Sequence, residues 1–156
     1  MLQYIKGDLF SHTSSKKVIL AHACNPFGLW GGGIAAQFRK RYPSAYKLYA
    51  DHCHQHGNTL LGKCLVVPAD AQSKVYIACL FTSNFENSPS QIVEYTKQSM
   101  AELTEQLKTM ENVETHNGKT TINMPMINSG IFNVPWKDTE AVLQSTDLNI
   151  NVYTID

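Results

Sequence analysis

The sequence carries no surplus of charge. Thirteen lysines and arginines balance thirteen aspartates and glutamates. Nonspecific binding to nucleic acid needs a basic surface, so no nucleic-acid partner is expected. No apolar run approaches the ~20 residues that cross a bilayer, so no membrane partner is expected either. The opening residues, Met1 to Lys6, lack the charged-then-apolar layout of a secretory leader. These absences predict a soluble protein of the cytoplasm, the nucleus or both, not a secreted one. The four cysteines, Cys24, Cys53, Cys64 and Cys79, form no C-x-x-C pair, and none is followed by the arginine of a cysteine-phosphatase loop. Buried free thiols are the expectation.

Other absences bound the chemistry. No glycine-rich stretch ends in Lys-Ser or Lys-Thr, and no Gly-x-Gly-x-x-Gly run precedes a downstream acid. Triphosphate hydrolysis and standard dinucleotide binding are therefore disfavoured. There is no Asp-x-Asp phosphoenzyme motif, no clustered set of metal carboxylates and no H-E-x-x-H. His52, His54 and His56 read as the polar end of a helix before Gly57. No metal and no cofactor are expected.

What is present is a pair of strand–loop–helix sites. Val18 to Cys24 is short, apolar and free of breakers, as a buried strand should be. A loop follows, then Gly31-Gly32-Gly33, then helix formers from Ile34. Without Cβ atoms, backbone N–H groups at a helix start can approach an anion. The second site is Ile122 to Ile127, then Asn128-Ser129-Gly130-Ile131-Phe132-Asn133, then a helix-like run from Trp136. In an open α/β sheet, ligands bind outside the carboxyl ends of the strands. The two sites together suggest one cleft for a phosphorylated ligand.

The remaining chain alternates strands (Leu2 to Lys6, Lys63 to Pro68, Val75 to Thr82, Thr120 to Met124, Leu148 to Ile155) with helices (Gly33 to Arg41, Ser44 to about Gln55, Ser90 to about Met110, Trp136 to Ser145). Glu111 to Lys119 reads as a loop. The alternation predicts a largely parallel, helix-covered sheet.

These segments resemble the macrodomain family, an ADP-ribose-binding α/β module. The matching pieces are Gly7-Asp8, Ala21 to Asn25, Gly31 to Ala35, Met124 to Phe132, Val134-Pro135-Trp136 and the strand at Val152-Tyr153. Trp30 to Ala35, Leu60 to Cys64, Cys79 to Ser83 and Ile127 to Trp136 are most similar to the fungal branch that removes phosphate from ADP-ribose 1''-phosphate. The resemblance implies a three-layer α/β/α fold with a mixed, largely parallel central sheet, formed as a single domain over residues 1–156. It implies ADP-ribose and ADP-ribose 1''-phosphate as ligands and a monomeric enzyme.

Carried over position by position, the resemblance makes Asp8, with Leu9 beside it, the acceptor for the adenine amine. Asn25 holds the distal ribose. Gly31, Gly32, Gly33 and Ile34 form the first loop. Asn128, Ser129, Gly130, Ile131 and Phe132 form the second, whose amides face the diphosphate, and Tyr153 completes the ligand-binding set. Asn128 and Asn133 stand where the family often has glycine; asparagine tolerates a positive φ better than most residues. Ser83 and Phe132 occupy the places of the lysine and aspartate used by a glycohydrolase branch, which argues against that mechanism.

Water is the expected nucleophile, with His22 and Asn25 as the catalytic residues and His22 as general acid–base. Along a regular strand His22 shares a face with Leu20 and Cys24, not with Asn25, so it reaches the same pocket only if the strand bends near Ala23. A satisfied core histidine is the alternative. Two other functions fit the same residues: a non-catalytic ADP-ribose reader and a hydrolase of protein–ADP-ribose esters.

Overall fold

A computed structural model describes residues 1–72 and 74–155. Among these residues are seven strands: β1 (Leu2–Lys6), β2 (Val18–Cys24), β3 (Cys64–Pro68), β4 (Val75–Phe81), β5 (Thr115–His116), β6 (Lys119–Met124) and β7 (Asn149–Thr154). Four α-helices connect them: α1 (Gly33–Arg41), α2 (Pro43–His56), α3 (Pro89–Leu107) and α4 (Trp136–Gln144). The strand order is β1-β7-β6-β2-β4-β3, with β5 paired to β6. Neighbours along that path are parallel except β3, which runs antiparallel to β4. The sheet is mixed and largely parallel, with helices on both faces, as expected.

β2 shows why the layers form. Six of its seven residues are buried, because both of its faces are covered. Val18, Leu20 and Cys24 join Phe38, Ala45, Tyr49 and Cys53 of α1 and α2. Ile19 and Ala21 join Met100, Leu103 and Leu107 of α3 and Leu143 of α4. The helices begin where local chemistry dictates. Pro43 occupies the first turn of α2, where its missing N–H costs nothing. Ser88 and Gln91 form a reciprocal capping box at the start of α3.

From β2 the chain moves to β4 on one side, then returns to β6 on the other. The loops leaving the carboxyl ends of β2 and β6 therefore diverge and open a crevice between them. No helix among the described residues is long and apolar enough to cross a membrane.

A polar ladder fixes the other half of the sheet. Gln3 Nε2 donates to Asn151 Oδ1 at 2.6 Å, Asn151 Nδ2 to Asn123 Oδ1 at 2.9 Å, and Asn123 Nδ2 to the Ile19 carbonyl at 3.2 Å. The amides cross β1, β7 and β6 to β2 at paired positions. A slip of one residue would turn them into the face that holds Ile150 and Val152.

The segment expected as a loop after α3 contains a short hairpin. Asn117 (φ 53°) and Gly118 (φ 78°) turn β5 back onto β6, pairing His116 with Lys119. Asn-Gly between two short strands is the sequence signal for this turn.

Asn151→Ala would leave the buried Asn123 Oδ1 without its partner, while exposed Gln3 could turn to water. We expect a loss of about 1–3 kcal/mol in urea unfolding, the range for orphaned buried polar groups. A midpoint unchanged within error would mean that the ladder contributes nothing to stability.

Candidate active site

The crevice between the β2 and β6 loops is a cleft of about 510 Å³. One wall is the approach to α1, with Asn25, Trp30, Gly31, Gly32, Gly33 and Ile34. The other is the loop after β6, with Asn128, Gly130, Ile131 and Phe132. Expected residues of both loops thus meet in one place. The loops also touch directly: the Ile131 Cδ1 atom lies 3.2 Å from where a Cβ on Gly32 would stand.

Gly33 opens α1 with φ 57°, a region that disfavours any side chain. Gly32 is the cap residue and supplies no side-chain hydrogen bond. The first-turn N–H groups of α1 are left with no capping side chain, and Gly33, Ile34 and Ala35 line the cleft. That end of a helix attracts anions through its orphan donors and its dipole.

The second loop is held by Asn128. Its φ is 67°, and Asn133 follows at 56°, so asparagine does replace glycine in the left-handed region. Asn128 is 4 % exposed. Its Oδ1 accepts from Thr82 Oγ1 at 2.8 Å, and its Nδ2 donates to Thr96 Oγ1 at 2.9 Å and Thr139 Oγ1 at 3.3 Å. One amide thereby ties the loop to the end of β4, to α3 and to α4. Val134 N–H returns to the Asn128 carbonyl at 2.8 Å and Asn133 N–H to the Gly130 carbonyl at 3.0 Å. The N–H groups of Gly130, Ile131 and Phe132 take no partner among the described residues.

Asn25 organises the first loop. Its Oδ1 accepts from Phe27 N–H at 2.9 Å, Leu29 N–H at 3.4 Å and the Tyr49 hydroxyl at 3.2 Å; its Nδ2 donates to the Leu29 carbonyl at 2.7 Å. Buried Tyr49 also donates to the Asn25 carbonyl at 2.6 Å. Burial raises the Tyr49 phenol, with nearby thiols adding to the rise, so it stays a donor.

His22 is not brought to the cleft. It is fully buried, stacked on Phe38 with ring centroids 4.1 Å apart and planes 8° apart, and edge-on to Trp30 at 4.8 Å. The strand stays regular through Cys24, so alternation sends His22 under α1, and it is Ala23 that lines the cleft. The expected catalytic His22 therefore does not line the cleft in this structure. Its nearest polar neighbour is Cys24, whose Sγ lies 3.6 Å from Nε2. Burial pushes Cys24, Cys53, Cys64 and Cys79 up. Cys24 alone is drawn down, to about 5, by the Cys79 hydrogen bond and the His22 ring.

Four further expected ligand residues do not line this cleft. Asp8 caps a short turn, accepting from Phe10 N–H at 3.0 Å, with Arg41 4.0 Å away. Leu9 is 4 % exposed and packs in the core. Tyr153 is bound through its hydroxyl to His12 Nδ1 at 2.7 Å, and His12 Nε2 in turn meets Glu114 at 2.9 Å. Ser129 turns its hydroxyl to the Met126 carbonyl at 2.5 Å. The reading of the sequence missed Phe85, which lines the cleft from the loop after β4. Its signal was positional: a turn-rich stretch, Asn84 to Pro89, beyond the carboxyl end of a parallel strand.

Among the described residues, the lining of the cleft contains no ionisable side chain. Its polar side chains are Asn25, Asn128 and the Trp30 indole, and the remaining polar groups are main-chain. An anion meets no carboxylate to repel it, and the donors are fixed before it arrives.

Two substitutions separate the two tasks of Asn128. Asn128→Gly keeps the positive φ and loses the three hydroxyl partners; Asn128→Ala loses both. We expect both to destabilise, with alanine about 1 kcal/mol worse in denaturant melts, the strain of a Cβ in the left-handed region. Equal losses would show that the hydrogen bonds alone hold the loop.

With the cleft described, comparison with known proteins gives a consistent result. A family model for the macro domain matches residues 21–143. A protein of Lodderomyces elongisporus named ADP-ribose 1''-phosphate phosphatase is 55% identical, with 99% of each chain covered. One of the same name from Candida albicans is 54% identical, over 99% of this chain and 100% of its own. Among solved structures, the macrodomain of Mycobacterium tuberculosis DarG superposes with a TM-score of 0.75 at 23% identity, covering 98% of this chain and 97% of its own. A family match of this extent, joined to relatives more than half identical along their whole length, has one meaning: the chain belongs to the macrodomain family.

Proposed function

We propose that this protein is a phosphatase that removes the 1''-phosphate from ADP-ribose 1''-phosphate, giving ADP-ribose and phosphate. The observation that carries the reading is the pairing of two donor sets across one cleft free of acidic side chains: the uncapped first turn of α1 and the N–H groups of Gly130 to Phe132. A ligand with several phosphates suits that arrangement. The full-length relatives, named for this activity, support the same substrate. The reading includes a single domain over residues 1–156, acting as a monomer in the cytoplasm or nucleus.

In this reading the diphosphate lies between the loops, the distal ribose beside Asn25 and Phe132, and the adenine toward Asp8, beyond the cleft proper. Water attacks the terminal phosphorus as the bond from phosphorus to the 1''-oxygen breaks. The amides bind the oxygens where charge develops. The leaving group is a hemiacetal hydroxyl, more acidic than an ordinary alcohol because of the neighbouring ring oxygen, and so it asks less of a protein acid. The Asn25 amide keeps one N–H beyond its bond to Leu29, placed to orient the ribose or the water. Binding of the adenosine end supplies the orientation that a generic phosphomonoester lacks.

Single-turnover phosphate release tests this directly. We expect release from ADP-ribose 1''-phosphate and poor release from generic phosphomonoesters. A protein that binds ADP-ribose but frees no phosphate would be a reader. With no ionisable side chain in the cleft, the rate should follow the second ionisation of the substrate phosphate, near ~6, not a protein group. His22→Ala should cost about 2–5 kcal/mol of stability through lost packing. The folded variant should keep its rate, where loss of a general acid–base would cost roughly 10²–10⁴-fold. A folded His22→Ala with such a loss would restore His22 to the mechanism.

A further inference from the structure

Three aromatic rings meet beside the cleft, and two of them, Phe85 and Phe132, line it. Phe85 stacks on Phe27, with centroids 6.1 Å apart and planes 15° apart, and meets Phe132 edge-on at 5.7 Å. Each ring comes from a different loop, after β4, β2 and β6 respectively. Phe27 and Phe85 are about half exposed (48% and 51%), so neither is there to fill a core.

Phe85 is also held in place against its own preference. Its φ is 74°, a region that bulky residues rarely enter. The loop around it fixes that geometry: Ser83 Oγ accepts from Phe85 N–H at 3.0 Å, Asn84 Oδ1 from Glu86 N–H at 3.0 Å, and Asn87 Oδ1 from Asn84 N–H at 2.8 Å. A strained backbone that presents an aromatic ring to a binding cleft, and not to the interior, is a constraint on the ligand.

We propose that Phe85 is a specificity-determining residue: it closes the distal end of the cleft, admitting a compact phosphate on the distal ribose and turning away a polypeptide attached at the same carbon. The proposal rests on the orientation given above, in which Phe132 and Asn25 flank the distal ribose. A phosphate leaves room beneath the ring and takes its hydrogen bonds from the loop amides. A peptide leaving the ribose must cross the Phe27–Phe85–Phe132 wall, which offers its amides no hydrogen-bonding partner. Discrimination then comes from a clash with the wrong ligand, not from extra contacts with the right one.

Calorimetry on the full chain tests this, with free ADP-ribose and a peptide carrying ADP-ribose through a non-hydrolysable link. Wild type should prefer free ADP-ribose by at least about tenfold, the scale of steric discrimination in a fitted pocket. Phe85→Ala should narrow that preference to within about threefold by tightening the peptide, with free ADP-ribose little changed. Phe85→Tyr, which keeps the ring, should retain the wild-type preference. A wild type without the preference, or a Phe85→Ala that weakens both ligands alike, overturns the proposal. Phosphate release is read separately. A wild type that shows the preference but frees no phosphate upholds Phe85 and refutes the phosphatase reading.

Discussion

The constraint on which the rest depends is that β2 is covered on both faces. Most of its side chains are apolar in both directions, and near its carboxyl end Ala23 lines the cleft. The chain crosses from one side of β2 to the other through α3, so the loops at that end leave on opposite sides and frame a crevice between them. The cleft is a consequence of this topology before any particular side chain is considered. The same burial sets His22 away from the cleft: two positions before the end of such a strand, its ring lies under α1, stacked on Phe38.

Holding the loops open requires polar groups that are themselves buried. Asn25 and Asn128 do equivalent work on opposite walls. Each spends its amide on the protein, Asn25 on its own loop and on Tyr49, Asn128 on threonine hydroxyls just after β4 and from α3 and α4. The main-chain donors of the loops are left for a ligand because these side chains have taken over the structural bonding. Preorganised donors of this kind need little rearrangement as charge develops.

Much of this was legible in the sequence, and the failures share a cause. The element order, the break at Pro43, the two loops and the left-handed asparagines follow from local rules: breaker residues, apolar runs and the special tolerance of glycine and asparagine. Residues whose role depends on the direction of a side chain were less accessible. His22 looked chemically apt, and only strand alternation argued against it. Asp8, Leu9 and Tyr153 reached the site through resemblance, yet their side chains serve a turn, the core and a bond to His12. Phe85 carried no motif at all, because its importance lies in meeting two rings that are distant in sequence. The β5 hairpin was missed for a simpler reason: two-residue strands have too little pattern to separate from a loop, and only Asn117-Gly118 announced it.

A cleft whose donors are main-chain amides has an evolutionary consequence. Every residue but proline carries the same N–H, so most substitutions in the second loop leave the anion contacts intact. Ile131 illustrates the freedom: the residue is 69% exposed, and its N–H takes no partner among the described residues. Selection on ligand binding therefore falls on the few positions that set backbone shape, such as Gly33 and Asn128, and hardly on the others. Such a site can drift in its outward surface, and so in what it meets around the ligand, without losing the ligand itself. New specificities can be explored from the rim inward, one exposed side chain at a time.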